Sequence, residues 1–210
     1  MKLTNLASLD PQITASGRKG LAGASILDRS VWEELQSHWD ATAMQASEAF
    51  GQITGKSDTN AQGDEDTDSL PDFAEGTTRA AIVHVRKNQR ISRRAVLSSY
   101  NNRCCITGLA DERLLIASHI VPWSEDKQNR LNPQNGLCLS ALHDKAFDLG
   151  LITVTPEYRV LVSPSLKRKS ADTFVVDSLL KFDQHQIDLP ERFKPRAEFL
   201  AWHGQRFGFT

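Results

Sequence analysis

The sequence predicts an α+β protein in which an N-terminal helical arm precedes a domain of short strands and short helices. Three observations carry that prediction. Trp32, Leu35, Trp39, Ala43, Ala46 and Phe50 recur at helical spacing. Two short apolar runs, 113–119 and 136–139, flank a polar loop and lead directly into a helix opening at Ser140. Residues 151–154 and 159–162 lie on either side of Thr155-Pro156-Glu157-Tyr158 and read as a β-hairpin. A chain of 210 residues, 40% of them hydrophobic, can bury one sizeable core and carry an accessory segment.

Taken in order, residues 1–50 form the helical segment. Ser30 is placed as N-cap and Glu33 as its capping-box partner, so that one long amphipathic helix runs to Phe50. Its tryptophans, at this spacing, belong to a core or an interface. Residues 51–77 are rich in Gly, Asp, Thr, Ser and Asn and poor in apolar side chains, a composition that predicts a flexible acidic linker. The third region, 78–210, opens with 80–85, Ala-Ala-Ile-Val-His-Val, which has strand character, and continues with a helix capped by Ser92 that buries Val96, Leu97 and Tyr100. Strand 113–119, polar loop 121–133 and return strand 136–139 follow. The next helix starts at Ser140 and stops at Gly150, a residue suited to a left-handed terminus. After the hairpin, Pro190 and Pro195 punctuate the chain before an aromatic helix bearing Phe199, Leu200, Trp202 and Phe207.

The formal net charge of −1 hides a segregation of charge. Residues 79–105 contain Arg79, Arg86, Lys87, Arg90, Arg93, Arg94 and Arg103 and no acidic side chain. Residues 58–75 contain Asp58, Asp64, Glu65, Asp66, Asp68, Asp72 and Glu75 and no basic one. This asymmetry points to a polyanion-binding surface beside a solvated acidic tether. Cys104, Cys105 and Cys138 are an odd set without framework spacing, which predicts a reduced, cytoplasmic setting. The N-terminus lacks the apolar core of a signal peptide, and no window approaches the roughly 18 apolar residues needed to span a membrane.

The stretch between Ala117 and Gly150 carries the chemistry. It reads Ser118-His119-Ile-Val-Pro122-Trp123, then Asn135-Gly136-Leu-Cys-Leu, then His143-Asp144-Lys-Ala-Phe147-Asp148-Leu-Gly150. A histidine closes an apolar strand, an asparagine opens the returning one, and a His-Asp pair sits at the start of a short helix. This order resembles the HNH nuclease motif, a ββα-metal unit in which a hairpin and a helix hold one divalent cation against a scissile phosphate. The form Ser-His-Ile-x-Pro-Trp is similar to a restriction-type subset of that family. The wider resemblance covers 79–207, through Arg86, Gln89, Arg93, Arg94, Tyr100 and Cys104-Cys105-Ile-Thr-Gly108 upstream, and more weakly Ile187-Asp-Leu-Pro190 and Phe199-Leu-x-Trp202-His203 downstream. Its core is 100–150.

The resemblance implies a general-base role for His119, because a neutral imidazole deprotonates water near pH 7; taken alone, the residue reads as a buried histidine satisfied by a backbone carbonyl. It implies that Asn135 bridges the loop backbone and keeps the histidine oriented. Asp144 falls where the family's last metal ligand lies, and a carboxylate suits a hard ion such as Mg²⁺ or Mn²⁺. His143 is the ligand instead if the register differs by one, and Asp148, one turn beyond Asp144, could join or orient a bound water. Many family members carry Asp where this chain has Ser118, which leaves the metal shell short of a carboxylate. A structural zinc would require two Cys-x-x-Cys pairs, and the cysteines here do not supply them; they read as packing residues. Arg86, Arg93 and Arg94 suit DNA phosphates and Gln89 suits base edges. The expected function is hydrolysis of phosphodiester bonds in double-stranded DNA, in restriction or defence against foreign DNA. A double-strand break would need a homodimer or two binding events. The rivals are a catalytically degenerate HNH module that only binds DNA, and a regulatory partner subunit of a larger defence system.

Overall fold

The computed structural model describes residues 2–15, 17–18, 20–21, 23–54, 79–122, 124–126, 128–169 and 171–209. The chain divides into two compact units, Met1–Ile91 and Ser92–Thr210. The division falls inside a helix.

In the first unit, α1 (Lys2–Ala7) and α2 (Pro11–Ala15) precede α3 (Ile26–Ser37) and α4 (Trp39–Thr54). α1 packs on α3, and α3 on α4. The predicted single helix is thus two. It also starts earlier: Ser25, not Ser30, is the N-cap, and Asp28 completes the capping box by accepting the Ser25 amide at 2.9 Å. The carboxylate of Asp28 is buried on that cap, so two otherwise orphaned amides are satisfied reciprocally. α4 ends at Thr54, so 51–54 are helical, and the rest of the predicted linker lies outside the described residues.

The predicted strand at 80–85 is helix. α5 runs over Arg79–Ser99. Ala, Arg, Lys and Gln dominate the flanking positions and favour helix, whose bonds the segment supplies to itself, while a strand needs a partner ladder. Ser92 is therefore not a cap; it sits mid-helix and is buried beside Val96, Leu97 and Tyr100.

The second unit contains the end of α5 and everything after it. A 3₁₀ turn, Glu112–Leu114, leads into β1 (Leu115–His119), which pairs antiparallel with β2 (Gly136–Ser140) in the register Leu115↔Ser140 to His119↔Gly136. α6 (Ala141–Asp148) follows without a break, its N-cap Ser140 accepting from the His143 amide. Every residue of β2 is buried, as expected for a strand covered on both faces. Gly136 is required there, since a Cβ would strike the Val96 side chain. α6 stops before Gly150, which adopts φ +63 and whose Cβ position is occupied by the Phe207 ring. The predicted hairpin is present as β3 (Ile152–Val154) and β4 (Val160–Val162), antiparallel. α7 (Pro164–Lys167), α8 (Thr173–Ser178) and α9 (Ala197–Arg206) complete the unit. Phe147, Leu137, Leu139, Ile120 and Leu200 are fully covered and form the centre of its core. Among the described residues no helix is long and apolar enough to cross a membrane.

α9 closes on α6 through one histidine. The His203 ring stacks on Phe147 at 3.6 Å. Its Nε2–H donates to the Phe147 carbonyl at 3.2 Å, and the Thr153 hydroxyl donates to Nδ1 at 2.8 Å. The carbonyl partner fixes the neutral tautomer. Burial lowers His203 to about 4, with the Phe147 carbonyl opposing and the Arg206 charge adding to the shift. The folded value lies below the unfolded one of about 6.5, so the stabilisation is full above that pH and is lost as pH falls towards 4. The loss should reach about 3 kcal/mol. His203→Gln, which has no titrating ring, should flatten the fall in stability between neutral pH and about pH 4.5, measured by denaturant unfolding. An unchanged slope would show that other groups govern acid sensitivity.

Candidate active site

β1 ends at His119 and β2 begins just after Asn135, so hairpin pairing alone brings the two predicted catalytic residues to the same end of the sheet. The intervening loop is braced by Asn135, which is buried. Its Oδ1 accepts the Val121 amide at 2.8 Å and its Nδ2 donates to the Val121 carbonyl at 3.0 Å. Its own carbonyl accepts the Ile120 amide at 3.0 Å. One side chain thus satisfies both backbone groups of the residue two beyond His119, and the chain leaving the histidine has little freedom to turn. Asp126, Asn129 and Asn132 continue the bracing through side-chain bonds of 2.7 Å and 2.9 Å.

His119 donates Nε2–H to the Arg130 carbonyl at 3.0 Å. In the neutral ring this leaves Nδ1 as the basic nitrogen. Desolvation holds the ring below the ordinary imidazole value, with the Arg130 carbonyl partly offsetting it. A neutral, oriented imidazole at neutral pH is suited to accepting a proton. Ser118, where many HNH nucleases have Asp, is 3% exposed, and its hydroxyl has no partner among the described residues.

α6 presents the three predicted metal ligands in different settings. His143 is 3% exposed, its Nδ1 is 2.8 Å from the Ser140 hydroxyl, and its ring meets Phe182 edge-on at 5.4 Å. Burial lowers its pKa; the Ser178 backbone opposes this and Lys181 reinforces it. Nε2 is buried without a hydrogen bond to the described residues. Asp144 is half-buried in the first turn of α6, and Asp148 is exposed one turn later on the same face. Partial desolvation raises the Asp148 carboxyl, and Lys145 opposes the shift. Among the described residues no three His, Cys, Asp or Glu side chains converge to hold a metal. The donors present are two carboxylates, a hard-ion set that fits Mg²⁺ or Mn²⁺ only if phosphate and water complete the shell.

The predicted DNA contacts separate. Arg93 is engaged with backbone: Nη1 donates to the Leu115 carbonyl at 2.9 Å and Nη2 to that of Glu112 at 3.3 Å. It secures the entry to β1, a structural task that sequence alone does not reveal. Arg94 is exposed on the same helix. Gln89 lies on the part of α5 in the first unit and is half-buried, and the Arg86 side chain lies outside the described residues. Sequence reasoning missed Gln134, Arg196, Glu125 and Arg206, which tie the C-terminal segment to the His119–Asn135 loop; no local pattern marks them. The three cysteines are buried and unbridged, and burial pushes the Cys138 thiol up to about 12, as expected of packing residues.

A strand-loop-strand hairpin that presents an oriented imidazole, followed at once by a carboxylate-bearing helix, forms a ββα unit. Residues 104–155 match the family model described as HNH endonuclease. No curated protein matches the chain.

Proposed function

We propose that this protein is a metal-dependent endonuclease that hydrolyses phosphodiester bonds in double-stranded DNA, acting in restriction or defence against foreign DNA. The observation that supports this reading most is the state of His119: neutral, desolvated and held by the Arg130 carbonyl through Nε2–H. In this reading Nδ1 takes the proton from the attacking water while Asn135 keeps the loop, and so the ring, in place. Asp144, with Asp148 beside it, would hold one Mg²⁺ or Mn²⁺, which supplies Lewis-acid stabilisation of the phosphoryl and leaving oxygens. His143 remains a candidate from sequence, but its burial disfavours it.

Supercoiled plasmid incubated with the protein should be nicked when Mg²⁺ or Mn²⁺ is present and should survive in chelator. Nicks should precede linear product, because one site cuts one strand. Intact plasmid under every metal, with DNA still bound, would establish instead the second reading, a degenerate HNH module that only binds DNA. Ser118, a buried hydroxyl in place of the expected carboxylate, is the observation that favours that alternative.

A further inference from the structure

The C-terminal segment is built into the rim of the site. The Arg196 amide donates to the Gln134 carbonyl at 3.1 Å, Arg196 Nε donates to Gln134 Oε1 at 3.1 Å, and Gln134 Nε2 reaches the Lys194 carbonyl at 3.4 Å. The Tyr158 hydroxyl adds a bond to the Pro195 carbonyl at 3.2 Å. Gln134 immediately precedes Asn135, so the Arg196 guanidinium stands beside the turn that braces His119. Arg206, on α9, makes a second such tie: its Nη1 lies 3.2 Å from Oε1 of Glu125, in the loop following His119, and its guanidinium covers the Trp202 ring at 5.1 Å. Both residues lie beyond the span that matches the HNH endonuclease family.

Both guanidinium groups remain available to solvent. The Arg196 side chain is 45% exposed and meets Glu198 at 3.3 Å, and that of Arg206 is 43% exposed. Exposed pairs of this kind are screened and weak, so either carboxylate yields its arginine readily to a polyanion. A guanidinium held through Nε or laid on an aromatic ring is already oriented, and its remaining donors match the geometry of a phosphate. Arg93, by contrast, has its fork turned onto backbone carbonyls.

We infer that Arg196 and Arg206, with the exposed Lys194, form the footing for the phosphates of duplex DNA that flank the scissile one. This rests on the nuclease reading above and places the backbone contacts on the C-terminal segment. The test is the salt dependence of affinity for a duplex oligonucleotide, measured by fluorescence anisotropy in chelator so that no cleavage occurs. Arg196→Ala should lower the magnitude of the log K against log salt slope by about one, and adding Arg206→Ala by about one more. Arg196→Lys should retain the slope. Glu198→Gln, at a 66% exposed carboxylate, should bind DNA more tightly than wild type because it releases Arg196. An Arg196→Ala protein that melts normally and keeps the wild-type slope overturns the inference. If Arg196→Ala does not fold, failure of Glu198→Gln to tighten binding overturns it. Wild type that binds no duplex at any salt overturns the nuclease reading itself, a result distinct from either.

Discussion

Replacing His119 by alanine should lower DNA cleavage by roughly two to four orders of magnitude, the usual contribution of a general base. Duplex affinity should change little, because the contacts proposed to hold phosphate lie on other residues. Stability should fall modestly, since the variant leaves the Arg130 carbonyl without its partner at 3.0 Å, a loss of about 1 kcal/mol. The pH profile offers an independent check. Desolvation lowers the His119 pKa, so the base stays unprotonated below the pH at which a free imidazole titrates. The acid limb of kcat/KM in wild type should therefore lie below about 6.5, and the residual activity of the variant should lack that limb. Near-normal nicking by His119→Ala would remove the histidine from the chemistry.

Asp144→Ala should abolish metal-dependent cleavage. The argument is one of charge. Ser118 offers no carboxylate, His143 is enclosed by Ser140 and Phe182, and among the described residues no three candidate ligands converge. In the proposed site, the protein charge that would hold a cation rests on Asp144 and Asp148 of α6. A shell so short of protein ligands should bind Mn²⁺ weakly in the free protein and more tightly once a phosphate completes it. Calorimetric titration of Mn²⁺ into wild type and variant, with and without a duplex, reads both effects. The variant should lose the DNA-dependent gain in affinity as well as the activity. If it binds Mn²⁺ and cuts as wild type does, Asp144 is not the ligand and the assignment of the helix face is wrong.

The parts of this protein legible from residues are those set by short-range rules. The ββα unit could be read because its elements are consecutive. Ser140 caps α6, Gly150 takes the left-handed turn that ends it, and antiparallel pairing then delivers His119 and Asn135 to the same end of the sheet. The hairpin after it follows from alternation around Thr155-Pro156-Glu157-Tyr158. Local rules also misled where two of them competed. Ile82, Val83 and Val85 have β-propensity, yet they lie within α5, because the residues around them favour helix. Ser25 and Ser30 both head a plausible capping pattern, and only Ser25 has its acidic partner folded back onto its amide.

Sequence by itself determined the class of domain and the chemistry available to it: an imidazole at the end of a strand, an amide across the hairpin and carboxylates on the following helix. Tertiary structure decided how the same residue types are used. An arginine serves equally well as a phosphate contact or as a donor to carbonyls, and only the proximity of Leu115 and Glu112 gives Arg93 the second task. His143 and His203 carry the same ring as His119, but Phe182 and Phe147 pack against them and both residues are buried, whereas His119 is only half-buried. Arg196 reaches Gln134, and Arg206 reaches Glu125, across separations that no periodicity or turn signal encodes. Burial and long-range hydrogen bonding depend on which surfaces meet in three dimensions, and local pattern specifies only what each surface has to offer.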